Sequence, residues 1–174
     1  RVLLLVLLAS SIGAAVLYSR YQRFLEQTIS VPADGLLYEF RSGASLSGLA
    51  RDLAERGVID QPRMLGLLGR QMDLAHRLQA GEYRLRDDMT PADLLRLLAD
   101  GDTEQYSMTL IEGQTFRELL NAVRASDVIE ATLETDDAGE IMSDLGYLGE
   151  HPEGRFLPDT YHFPRGTTDV EFLQ

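Results

Sequence analysis

Apolar positions along the 174-residue chain form one long uncharged run, followed by short segments whose spacing alternates between the periods of strands and helices. The run from Val2 to Tyr18 holds no charge, and as a helix it would span roughly 26 Å at ~1.5 Å per residue. That is slightly short of a ~30 Å hydrocarbon core, and the reading is a transmembrane helix over residues 1–19. A cleaved signal peptide competes with it, with Arg1 ending an n-region and Ala9, Ala14 and Ala15 near a cleavage point. The anchor is preferred because the run exceeds a usual signal core, ends in the interfacial set Tyr18, Arg20, Tyr21 and Arg23, and contains no A-x-A site. The chain opens on Arg rather than Met, so the charges that set orientation are only half visible. Taken alone, Arg20 and Arg23 would put the following domain in the cytoplasm.

Residues 20–35 read as a juxtamembrane stalk ending in the turn-like Pro32-Ala-Asp-Gly35. Leu36, Tyr38 and Phe40 then alternate as in a half-buried strand. Leu46, Leu49, Ala50, Leu53 and Ala54 share one helical face that Gly57 closes. Pro62 opens a second helix carrying Met64, Leu65, Leu67, Leu68 and Met72, and Tyr83 and Leu85 lie on one face of a strand at 81–86. Thr90-Pro-Ala-Asp93 opens a third helix ended by Gly101. A strand follows at 104–111, then two capping boxes, Thr115 to Glu118 and Thr168 to Glu171, each before a helix. The second of these helices is cut at Gln174, which predicts that part of any groove built on it is missing. The fold class is α+β.

Composition narrows the functions open to such a chain. All sixteen basic residues are Arg, Asp and Glu number 28, and the net charge is −12, so no broad basic face exists for a nucleic-acid backbone. The absence of Cys excludes disulfides, thiolate metal sites and a cysteine nucleophile. Residues 126–153 carry nine carboxylates without a basic residue and read as a solvated, partly helical connection. Asp136-Asp137 lacks the glycine and spacing of a calcium loop, and three His are too few for a zinc site, so neither metal nor cofactor is expected. His76 reads as a surface residue. Tyr38 and Tyr83 read as core residues rather than sugar platforms.

The densest stretch of chemistry is His151-Pro-Glu-Gly-Arg-Phe-Leu-Pro-Asp-Thr-Tyr-His-Phe-Pro164. Pro152, Gly154 and Pro158 fix its backbone around the carboxylates, so Glu153, Asp159 and Tyr161 can be held at set positions beside Phe156 and Leu157. A carboxylic acid kept in a partly apolar site retains a proton near neutral pH and can donate it, which glycosidic cleavage requires. His151 and His162 flank the segment without the spacing of a ligand set.

The run Glu153-Gly-Arg-Phe-Leu-Pro-Asp-Thr-Tyr161 resembles the E-G-x-[aromatic or Leu]-x-P-[D/E]-T-Y signature of the YceG-like family, the endolytic murein transglycosylases. Leu110-Ile-Glu-Gly-Gln-Thr115 resembles its second signature, with Ile111 where Pro is common. The resemblance implies a membrane helix, a small LysM-like β-α-α-β unit at 36–88, and the first part of a mixed α/β catalytic domain at 89–174. It implies Glu153 as the catalytic acid, with Asp159 orienting or capping, Tyr161 walling the sugar groove and Phe156 contacting substrate. Glu112 matches the second signature and reads as structural, since a carboxylate is favourable before a helix N-terminus. The implied partners are peptidoglycan glycan strands, the cytoplasmic membrane and neighbouring peptidoglycan synthases. The implied place is the outer side of the inner membrane. Two other readings remain open: a non-catalytic, membrane-tethered glycan-binding scaffold, and a hydrolase pairing Glu153 with a second carboxylate such as Asp159.

Overall fold

A computed structural model describes residues 2–174; Arg1, the expected end of an n-region, lies outside them. The architecture is α+β, with two separate two-stranded antiparallel sheets. The chain divides into compact units at 1–103 and 104–174.

In the first unit, helix α1 (Val2–Glu26) is apolar enough to cross a membrane, and its most apolar window is not buried in the protein. The helix continues past the interfacial residues, because Tyr21, Phe24 and Leu25 form a short apolar stripe on its last turns. Phe24 is fully buried and Ile29 nearly so. The segment that follows is tied down by Ile29 N–H to the Met89 carbonyl and Ser30 N–H to the Val58 carbonyl, both at 2.8 Å. Residues 20–35 are therefore no free stalk. Their apolar side chains belong to the core, and their backbone bonds to it.

Strands β1 (Leu36–Phe40) and β2 (Gly81–Leu85) pair antiparallel with Tyr38 opposite Tyr83. Between them run α2 (Leu46–Glu55), capped by the Ser45 hydroxyl, and α3 (Pro62–Gln71), opened by its proline. The β-α-α-β order thus follows the hydrophobic periods. Tyr38 and Tyr83 are both buried, as expected for core residues. Burial raises the pKa of the Tyr38 phenol, helped by the Asp52 carboxylate. Helix α4 (Pro91–Asp100) begins with a complete capping box of Thr90 and Asp93 and ends on Gly101 in the left-handed region. Its Leu94, Leu95 and Leu98 are fully buried in this same core. The unit boundary consequently falls after Thr103 rather than after residue 88. His76 is exposed, 3.7 Å from the Asp73 carboxylate.

The second unit pairs β3 (Gln105–Thr109) with β4 (Thr160–Pro164), Met108 lying opposite Tyr161. Periodicity alone gives no strand at 160–164. Its pairing partner lies far back in the chain, and its alternation is masked by Pro164 and the preceding Pro158. Helix α5 (Phe116–Ala125) packs Phe116, Leu119, Leu120 and Val123 inward. The acidic stretch contains α6 (Ala138–Asp144), whose N-cap is Asp137, while Asp136 pairs with Arg124. Helix α7 (Asp169–Leu173) follows the expected box at Thr168. Its first residue, Asp169, is buried and accepts from the Thr132 hydroxyl and from the amides of Thr132, Leu133 and Val170.

Candidate functional site

Two Glu-Gly dipeptides build this site in the same way. The Gln114 N–H closes a turn onto the Ile111 carbonyl, and the Arg155 N–H closes another onto the Pro152 carbonyl, each at 3.2 Å. In each turn the third residue is a glycine with positive φ, +84° at Gly113 and +81° at Gly154. A type II turn demands that conformation, and glycine adopts it without a Cβ clash. The residue before the glycine, Glu112 or Glu153, is thereby presented at the tip of its turn.

The two glutamates then differ. Glu112 is exposed, and the start of α5 is served by other groups. Glu118 accepts from the Thr115 amide and hydroxyl, both at 2.8 Å. Those bonds, the amide first, hold its carboxyl below the usual range. The next free amide, Phe116 N–H, donates to both oxygens of Glu153 at 3.1 and 3.2 Å. Glu112 is the carboxylate expected at this helix N-terminus, but the one that contacts its first amide is Glu153. A helix start offers unpaired N–H groups and a positive dipole end to any carboxylate that reaches it. Glu153 reaches it because β3 and β4 bring the two motifs together: the Leu110 N–H donates to the Asp159 carbonyl at 2.9 Å. The imidazole Nδ1 of His151 accepts the Glu153 backbone N–H at 3.2 Å, steadying the turn from its other side.

Glu153 is exposed rather than enclosed by Phe156 and Leu157. It sits on the rim of a cavity of about 360 Å³ that also takes in Thr115, Phe116, Phe156, Leu157 and Pro158. The Phe116 and Phe156 rings stack there, centroids 5.5 Å apart and 18° from parallel. Phe116 is buried and backs the half-buried Phe156, which leaves Phe156 as the aromatic wall beside one carboxylate, the kind of surface that suits a sugar ring.

The expected site residues do not all meet. Phe156 shares the cavity with Glu153. Tyr161 instead lines a second cavity of about 270 Å³ with Tyr147, Arg155 and Phe172, and Phe156 and Leu157 stand between the two. The Tyr161 hydroxyl donates to the Leu157 carbonyl at 2.8 Å, and its ring meets Phe172 edge-on. Asp159 lines neither cavity. Its carboxylate accepts its neighbour Thr160 N–H at 2.7 Å, a local capping contact. Sequence reasoning missed Phe116, whose position as first helical residue after the Thr115 box was the available signal. It also missed Arg155, which pairs with Glu150 and lies 4.5 Å over the Tyr147 ring.

The sequence model of the YceG-like family matches residues 38–174. A crystal structure of a YceG-like protein from Listeria monocytogenes is similar at a TM-score of 0.40 and 18% identity, over 82% of this chain and 52% of that one. The chain therefore spans about half the length of that relative. No curated protein matches.

Proposed function

The chain belongs to the YceG-like family, and from that premise we propose that it acts as a membrane-anchored endolytic lytic transglycosylase on peptidoglycan glycan strands. Glu153 is the acid that protonates the oxygen of the β-1,4 bond between N-acetylmuramic acid and N-acetylglucosamine. As that bond breaks, the muramyl C6 hydroxyl attacks the anomeric carbon and gives its proton to the Glu153 carboxylate. The C1–O4 bond is exchanged for a C1–O6 bond, no water is consumed, and a 1,6-anhydro end results. Because the nucleophile is intramolecular, a second catalytic carboxylate is not obligatory.

One observation carries this reading: a single Glu, held through both oxygens by the first amide of α5, stands beside the stacked Phe116 and Phe156 rings on an open cavity. Phe156 contacts a sugar face in this scheme. Asp159 shapes the strand entry, and Tyr161 borders the neighbouring cavity. Helix α1 is compatible with a single-pass anchor, and the catalytic unit lies on the outer side of the cytoplasmic membrane, where its strands are made. The LysM-like part needs no sugar platform of its own. Tyr38 and Tyr83 are buried and offer no ring face, which weighs against a purely glycan-binding scaffold.

The test is mass spectrometry of products from uncrosslinked glycan strands, with Glu153→Gln in parallel. Anhydro-muramyl ends from the parent and none from the variant are expected. Reducing ends would assign a hydrolase, and equal turnover by the variant would remove Glu153 from the chemistry.

A further inference from the structure

Charge is divided unevenly along the chain. Residues 1–77 hold nine of the sixteen arginines but only seven of the 28 acidic residues. Many arginines have carboxylate partners: Arg41 with Glu39, Arg56 with Asp52, Arg86 with Asp88, Arg96 with Asp93, Arg124 with Asp136 and Arg155 with Glu150. Arg51 on α2 and Arg63 and Arg70 on α3 have none among the described residues, and all three line one groove of about 460 Å³ between those helices. Ala50 and Gly66 keep it open, and a Cβ on Gly66 would meet nothing within 4 Å. The acidic residue just ahead of α3, Asp60, is exposed.

Like charges gathered without a counter-charge repel, and guanidinium forks match phosphate oxygens in geometry. Arg63 and Arg70 lie about two turns apart on one face of α3, with Leu67 between them and 52% exposed. A basic face with an exposed aliphatic residue is the surface a helix presents to a headgroup layer. The position of α3 agrees. Its last residue, Gln71, accepts a hydrogen bond from the Tyr21 hydroxyl of α1 at 2.8 Å, and Tyr21 lies directly beyond Arg20, the first charge after the apolar run. An α1 seated in a bilayer carries the C-terminal end of α3 at headgroup level.

Resting on the reading of α1 as a membrane anchor, we propose that the α2–α3 groove binds the phosphate of anionic lipid headgroups through Arg51, Arg63 and Arg70, with Leu67 dipping into the interface. The full chain is reconstituted into vesicles of phosphatidylcholine with or without phosphatidylglycerol, and backbone hydrogen exchange is followed along it. Residues 2–18 protected in both vesicle types establish the anchor; if they exchange freely, that reading fails independently of the groove. With the anchor in place, exchange across 62–71 is expected to slow in the anionic vesicles by about fivefold for each arginine engaged. The slowing is expected to disappear in the triple variant R51Q/R63Q/R70Q. Equal exchange in both vesicle types overturns the proposal, as does slowing that survives in the triple variant. So does equal slowing by inorganic phosphate with the chain in neutral detergent, which would assign the groove to a soluble anion.

Discussion

Both carboxylate oxygens of Glu153 accept the backbone N–H of Phe116, so the reactive group of one motif is held by the first amide of the helix that the other motif opens. Replacement by Gln keeps one acceptor oxygen on that amide, whereas Ala leaves it to water. Thermal melts should place Glu153→Gln beside the parent and Glu153→Ala about 1 kcal/mol lower, the usual cost of a lost helix-start acceptor. Strand cleavage should vanish in both. An Ala variant as stable as Gln would show that the bond to Phe116 does not hold the turn.

Gly154 sets the turn that presents Glu153, with a φ of +81° and open space around it. The cost of a side chain there is therefore purely conformational, about 1 kcal/mol for Ala. Gly154→Ala should lower the cleavage rate and the melting temperature, the latter by about 4–8 °C, and Gly154→Asn, which tolerates this region better, should recover part of both. A rate unchanged by Ala would detach the turn geometry from activity.

Asp169 collects four donors in a buried place. Asparagine would turn an NH₂ group toward groups that also donate. Asp169→Asn should cost about 2–3 kcal/mol, read as a lower urea midpoint with an unchanged slope. A midpoint shift too small to measure would mean that the 130–133 loop has other support.

Acid should weaken both units through particular carboxylates. Burial raises the Asp169 pKa, but the bonds from Thr132, Leu133 and Val170 outweigh it and leave the group below its ordinary value. Asp93 is lowered chiefly by the Thr90 hydroxyl, then by the Thr90 amide. In both cases the folded state binds the proton less well than the unfolded chain, whose Asp titrates near ~3.9. Their stabilisation is thus fully present above the unfolded value and lost as pH falls through the lowered folded one. Urea midpoints measured downward from pH 6 should fall in that acid window, and D93N should flatten its share of the slope.

Phe24 lies at the end of the apolar helix yet is fully buried. Phe24→Ala should destabilise the first unit by about 3–5 kcal/mol, visible as faster amide exchange at Leu53 and Leu65. Leu8→Ala, on the exposed part of the same helix, should leave those amides unchanged. Equal exchange in the two variants would restore a free stalk.

The legible features were local. Thr90 with Asp93, Thr115 with Glu118 and Thr168 with Glu171 each satisfy helix-start amides within one turn, so spacing suffices to find them. Strand β4 was not legible, because Thr160 pairs with Thr109, 51 positions away, and no tight turn joins them. The contact of Glu153 with the start of α5 was hidden for the same reason: Glu112 stands nearest that helix in sequence, while the fold delivers Glu153. Arg20 and Arg23 end the uncharged run but not the helix, because Tyr21, Phe24 and Leu25 mark by their spacing a face that packs and carries α1 on to Glu26. Tyr161 belongs to the neighbouring cavity because alternation along β4 sends it to one face and His162 to the other.

The pairing of β3 with β4 also sets when the site can exist. Closing a loop of that length costs about 3–4 kcal/mol of chain entropy before any contact repays it. Until Thr160 to Phe163 have been synthesised and paired, Glu153 has no fixed approach to Phe116. A ribosome-bound chain halted shortly before β4 would carry both Glu-Gly motifs without the geometry that joins them. Assembly of the candidate site is thus among the last events of folding, and its rate follows long-range strand closure rather than the fast local helices.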